Sequence, residues 1–382
     1  MPSLPTSSNI GALPLDAVYE ILLCLPAKLL CRLRAVCRPW RALLSDPQFA
    51  LAHAARHPEP LIALAVAPYA GNKGDGVIVD IMDLSGQIVK RVRRVQRNDR
   101  VISMELDLAF VKNVNNDSYK FLNLATGVAH HLPDGFAEEH VAFGVNRDSD
   151  SVFILGQLPN TGEYKVLKLI HHVSNNLSSQ LAEVCTLNSS SHSGWRRMEK
   201  PVDQITSSTR LVIDGIVYLL RVDTVLSITF NARVTEKDMI ITFDLNTEAW
   251  GPCIQGPSIN FSIDPVEMLD NNGIPIIKQF SLANLNGSLC VVHGPAPYMD
   301  FWILTDFDKG VWVKQYSMQF EQYGCPVHPL LVLGDGRVLI HKIDNRFLQI
   351  YDPSTKNFIN SVDWTHYSPI SMYAGNLLSL DR

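Results

Sequence analysis

The side chains of this 382-residue chain best suited to metal or nucleophilic chemistry are its 12 histidines and 7 cysteines. Two adjacent pairs, His130-His131 and His171-His172, stand in loops or strand ends. Neighbouring side chains on a strand face opposite sides, so neither pair offers two ligands to one ion. Cys24, Cys31 and Cys37 fall close together, but no C-x-x-C pair and no suitably spaced fourth donor accompany them. They read as small buried apolar side chains rather than ligands. Asp244, Asp308 and Asp352 lie among Asn, Gly, Ser and Thr, the setting of turn aspartates rather than of a carboxylate pair for acid-base work. There is no G-x-S-x-G elbow, no phosphate-binding glycine loop and no H-E-x-x-H. The expectation is a chain with no catalytic residues, no cofactor and no bound metal.

Composition narrows the classes further. Apolar residues make up 46% and charged residues 19%, enough to bury a sizeable core. Residues 1–57 carry six basic side chains against three acidic ones, whereas the remainder carries 27 against 35. An acidic large region is poorly suited to phosphate neutralisation, so no nucleic-acid partner is expected. The one basic cluster, Lys90 to Arg100, places charge on both faces of an extended segment and suits a solvated outer strand, with an acidic partner or a nuclear-import role as the alternative. An odd cysteine count without paired spacing points to a reducing compartment, cytoplasmic and/or nuclear. Asp16 and Glu20 interrupt the early apolar residues, unlike a signal peptide. The apolar run from Leu61 to Ala70 is about half of a membrane-spanning length, so no membrane partner is expected.

Local patterning changes sharply near His57. Before it, Leu15, Val18, Ile21, Leu22 and Leu25 recur at helical spacing between Pro14 and Pro26. A second run puts Leu29, Leu30, Leu33, Val36 and Cys37 on one face, with Arg32, Arg34 and Arg38 towards water and Pro39 restricting its continuation. Trp40, Leu43 and Leu44 follow, and Ser45-Asp46-Pro47 offers a cap to a turn through Phe49 and Leu51. Three short helices cannot bury this many large apolar side chains among themselves, so some of that surface needs a partner or the following domain.

Leu13-Pro14, Glu20-Ile21-Leu22, Leu25-Pro26-Ala27-Lys28, Arg34, Val36-Cys37-Arg38 and Trp40-Arg41 carry a specific resemblance. In order and spacing this stretch resembles the plant F-box. The resemblance implies binding of a Skp-type adaptor, and through it a cullin scaffold and a ubiquitin-charged conjugating enzyme. It also implies that Leu13, Pro14, Ile21, Leu25, Pro26, Val36, Cys37 and Trp40 form the adaptor face or its immediate support. Pro39 departs from the small polar residue usual there.

After His57, short apolar or alternating runs are punctuated by Gly, Asn and Asp. Asp214-Gly215, Asn286-Gly287 and Asp335-Gly336 each stand between apolar runs, as two-residue hairpins would. Each is followed by a polar turn and an aromatic, ending at Trp250, Trp312 and Phe358; CTLNSSSHSGW, ending at Trp195, is a divergent version. Repetition at roughly 45 to 60 residues predicts propeller blades near 61–95, 101–132, 138–198, 208–256, 278–318 and 328–362. The run ISMYAGNLLSL is expected to pair with the first unit, and a β-sandwich is the alternative architecture. From about residue 100 onwards, GEYKVLKL, DGIVYLL, FDLNTEAW, LNGSLCVV and WILTDFDKGVWVK resemble the plant F-box-associated, kelch-like domain.

The expected organisation is α+β and multidomain. A flexible N-terminus (1–12) precedes a three-helix F-box (13–57) and an all-β, propeller-like domain of about six blades (58–382). The resemblance implies the substrate receptor of a Skp, cullin and F-box ubiquitin ligase, with an unidentified target protein on the β domain. A non-degradative F-box scaffold and a propeller-fold enzyme are the alternatives. Polar segments at 113–118, 172–180 and 188–194 are candidate recognition loops.

Overall fold

Prolines set the helix boundaries at the N-terminus of this computed structural model. It describes residues 14–57, 59–66, 77–94, 98–105, 107–142, 144–145, 150–174, 177–187, 194–201, 205–221, 240–257, 278–295, 298–319, 327–342, 347–363 and 367–373. Pro14 and Pro26 occupy the N-cap positions of α1 (Leu15–Leu23) and α2 (Ala27–Leu33). Pro39 lies in the first turn of α3 (Arg38–Leu44), and Pro47 opens α4 (Pro47–Arg56). Asp46 caps α4 as expected, its carboxylate accepting the Gln48 amide at 2.7 Å. The module therefore has four helices rather than three. A proline in the first turn costs no helical hydrogen bond, so Pro39 starts α3 instead of merely ending α2, and Pro47 starts α4.

These helices share their own core of Leu22, Leu23, Ala27, Leu30, Leu44, Phe49 and Ala50, with Val18, Leu25, Leu33 and Trp40 packed against it. Arg34 corrects the sequence reading, which turned it towards water. It is buried, and its Nε and Nη2 donate to the Leu44 carbonyl at 3.2 and 2.6 Å, closing the C-terminal end of α3.

The chain divides into two compact units, residues 1–129 with 367–382, and residues 130–366. In the first, β1 (Leu61–Val66), β2 (Val77–Met82) and β3 (Ile88–Arg94) form an antiparallel sheet, which the last strand, β24 (Tyr367–Tyr373), completes alongside β1. The start of the C-terminal run, Ile370 to Tyr373, thus pairs with the first unit as its sequence predicts, and the rest of that run lies outside the described residues. A second sheet joins β4 (Asp99–Glu105), β5 (Leu108–Asn113), β6 (Tyr119–Asn123) and β7 (Ala129–His131). The basic β3 is an edge strand. Arg91 pairs with the buried Asp80 at 2.7 Å through Nη2, while Lys90 donates to the Ala125 carbonyl at 3.0 Å.

Among its described residues the second unit holds a short helix, α5 (Glu138–Ala142), and four further sheets. These are β8 (Ser151–Gln157) to β11 (Arg196–Met198), with β9 (Tyr164–Ser174) and β10 (Leu177–Leu187) between; and β12 (Ile205–Ile213), β13 (Ile216–Arg221), β14 (Ile240–Asp244) and β15 (Ala249–Trp250). Then follow β16 (Lys278–Leu285), β17 (Ser288–Pro295), β18 (Tyr298–Asp306) and β19 (Val311–Gln319), and finally β20 (Val327–Val332), β21 (Val338–Lys342), β22 (Phe347–Asp352) and β23 (Asn357–Asp363). Six four-stranded antiparallel sheets are the blades of a six-bladed propeller. Middle strands are buried on both faces. On β13, Val217 and Leu219 pack with β8–β10 while Tyr218 and Leu220 pack with β16 and β17. That explains why the sequence shows continuous apolar runs there rather than alternation.

Two of the three predicted tight turns have both central residues at positive φ, Asp214-Gly215 at 49° and 79° and Asn286-Gly287 at 52° and 83°. The third differs. Only Gly336 is positive, and Leu333 to Arg337 form a five-residue connection closed by the Leu333 amide on the Arg337 carbonyl. The segment at 172–180 is also largely strand, since β9 and β10 run up to Ser174 and from Leu177. Residues 1–13 and 188–193 lie outside the described residues.

Candidate functional site

The helical module completes its core without several of its large aliphatic side chains. Leu30 and Leu44 are fully buried, yet Val36 is 62% exposed, Leu51 64%, Ile21 50% and Leu29 40%. Exposed aliphatics concentrated on a unit this small are unusual for a surface that meets only water. Val36 and Cys37 stand between α2 and α3, where two short helices meet and the chain is held outward by extended backbone at Cys37.

The residues singled out by sequence divide into three groups. Pro14, Ile21, Pro26, Val36 and Cys37 are exposed and available to a partner. Leu25 and Trp40 are half-buried against the helical core and support that surface. Leu13 lies outside the described residues. Leu29 and Leu51 were missed as surface residues, because helical spacing assigned Leu29 to the packed face and gave Leu51 no distinct role. Cys24, Cys31 and Cys37 are exposed rather than buried: Cys24 and Cys37 cap the ends of α1 and α3, and Cys31 lies on the solvated side of α2. Cys31 lies 4.0 Å from Arg34 Nη1.

The module is also tied internally by histidines. His53 and His57 hydrogen-bond through Nε2 to the Leu25 and Leu23 carbonyls, at 2.9 and 3.0 Å, fastening α4 to the end of α1. Burial, with His57 adding to it, holds His53 below the usual histidine range, partly offset by its bond to Leu25. The outer Arg56–Glu20 pair, at 2.7 Å, adds little because both side chains are solvated.

In the second unit the repeated turns do structural work. The carboxylates of Asp244 and Asp352 accept the Asn246 and Ser354 amides at 2.7 and 2.8 Å. In the intervening repeat the turn residue is Asp306, which accepts the Lys309 amide at 3.0 Å, rather than Asp308. Asp306 stands six residues before Trp312, matching Asp244 before Trp250. Sequence also missed a buried charge cluster. Glu183 and Lys168 face each other across β9 and β10, beneath His140 of α5. Among the described residues no group of three His, Cys, Asp or Glu side chains is placed to hold a metal ion. No described helix is long and apolar enough to cross a membrane.

Comparison with protein families matches the F-box domain over residues 10–51 and the F-box associated beta propeller domain over residues 108–358. The second match spans well over half of the chain. The chain belongs to the F-box-associated β-propeller family. Two relatives align over about nine-tenths of this F-box chain. An F-box protein of Arabidopsis thaliana is 24% identical over 399 residues, covering 92% of this chain and 87% of the relative. The F-box protein CPR1 of the same plant is 23% identical over 373 residues, covering 91% and 83%. An Arabidopsis F-box/kelch-repeat protein is 22% identical over 330 residues, covering 79% and 68%. The family match on the helical segment covers α1 to α3, the first half of α4 and the exposed Ile21, Leu29, Val36 and Leu51.

Proposed function

We propose that this protein is the non-catalytic, substrate-recognition subunit of a Skp-cullin-F-box ubiquitin ligase. Its helices bind a Skp-type adaptor, and its propeller binds a target protein. The observation that carries the reading is the coincidence of the F-box match with a self-packed helical module that leaves Ile21, Leu29, Val36 and Leu51 substantially exposed. Covering four such side chains at ~1.5–3 kcal/mol each offsets a large part of the cost of association. The subunit then contributes to ubiquitin transfer by holding a target lysine close to the charged conjugating enzyme, which raises effective concentration.

Deletion of residues 1–57 tests the division of labour. The full chain captures the Skp adaptor from solution, and the truncated chain, with its β circular dichroism intact, does not. Equal capture by both removes the assignment.

A further inference from the structure

In the second unit, residues 132–142 lie across the sheet β8–β11 and are held mainly through their own main chain. Trp195 Nε1 donates to the Pro133 carbonyl at 2.9 Å, and Lys168 Nζ donates to the Gly135 carbonyl at 2.8 Å. The Ala137 amide donates to Glu183 Oε1 at 2.8 Å, and His140 Nδ1 bonds the same oxygen at 2.8 Å. Between these tethers the Phe136 ring covers the Lys168 ammonium, 3.6 Å from ring centroid to Nζ, with Trp195 at 4.7 Å and Phe153 at 5.8 Å. The opposite side of α5 is solvated, with Glu138, Glu139 and Val141 exposed. An ion pair between strands is thus roofed by a short segment whose outward residues Glu138, Glu139 and Val141 are exposed.

We propose that residues 132–142 are a detachable strap whose opening is coupled to proton uptake by Lys168. The other titratable groups around the ammonium are Glu183 and Cys185 on β10 and His140 on α5, with Arg196 on β11 acting on Cys185. Burial pushes Lys168 down to about 8, against the pull of Glu183. Lifting the strap hydrates the ammonium and returns it towards its ordinary value near 10.5. The open form therefore holds more protons than the closed form between pH 8 and 10.5. Raising the pH through that window closes the strap, by up to tenfold per pH unit for one coupled proton. Below pH 8 both forms are protonated, and opening is independent of this group.

Amide hydrogen exchange on the full chain, corrected for the intrinsic rate at each pH, reads the opening at residues 134–141 against the flanking strands β9 and β10. The expected result is a strap opening constant that falls at least tenfold from pH 8 to 9.5, while β9 and β10 exchange far more slowly. Lys168→Arg keeps the cation and cannot titrate in this range, so it should abolish that pH dependence. Should the larger guanidinium disturb the fold, Lys168→Met with Glu183→Gln removes both charges and should be equally flat. An unchanged slope in either folded variant overturns the proposal. So does exchange of the strap in step with β9 and β10, which would mean that it opens only with the whole sheet.

Discussion

Individual side chains here do work that their type alone did not announce. Arg34 was readable as part of a motif, but its two bonds to the Leu44 carbonyl depend on α3 ending ten residues later, which periodicity does not reveal. Arg34→Lys keeps the charge and loses the two-pronged reach. It should lower the local opening free energy of residues 38–50 by about 1–2 kcal/mol, read by hydrogen exchange; unchanged protection would contradict the role. His328 and His341 are cross-strand partners on β20 and β21, with ring centroids 6.5 Å apart. Burial, with His328 beside it, holds His341 down to about 4. Unfolding returns it towards 6.5, so the unfolded chain binds more protons below that value. The stability His341 confers is present above pH 6.5 and is lost as pH falls towards 4. The midpoint of thermal unfolding should drop across that interval, and His341→Gln should flatten the drop. An identical acid profile in the variant would assign the loss to other groups.

At the scale of elements, the aromatic that opens or precedes the fourth strand is a latch between blades. Trp195 donates to the Pro133 carbonyl, Trp250 to Glu199 and Trp312 to Gln255, at 2.9, 2.8 and 2.8 Å. The Glu199 and Gln255 carbonyls lie just after the fourth strand of the preceding blade, so within the second unit one repeat fastens onto the next. The aromatics were legible in the sequence as a periodic mark. Their partners, 51 to 62 residues away, were not, because a repeat pattern shows what recurs and not what it touches. The choice between Asp306 and Asp308 had the same cause, since two aspartates two residues apart satisfy the pattern equally until the turn geometry is known. Trp250→Phe keeps most of the ring packing against Phe243 and removes one donor. It should cost about 1 kcal/mol and lower the unfolding midpoint by about 1 °C. No change would mean that the indole N–H contributes only geometry.

Over the whole molecule, the division into a helical module and six blades was legible because hydrophobic period switches from helical to strand-like near His57, and because the turn marks recur. The number of helices was not, since a proline that stops one helix and a proline that starts the next look alike in sequence. Surface placement was legible for Ile21 and Val36 only through family resemblance, and missed for Leu29 and Leu51, because an amphipathic pattern does not say when a core is already full. The filled core leaves Ile21 and Val36 spare to the module's own packing, 50% and 62% exposed, and the proposed function assigns them to the Skp-type adaptor. Calorimetric titration of the folded full chain with the Skp adaptor tests it most directly. Ile21→Asp with Val36→Asp should weaken binding about a hundredfold or more, from the loss of two buried aliphatic side chains, while circular dichroism and the unfolding midpoint stay as in the parent chain. Affinity equal to that of the parent would contradict the account.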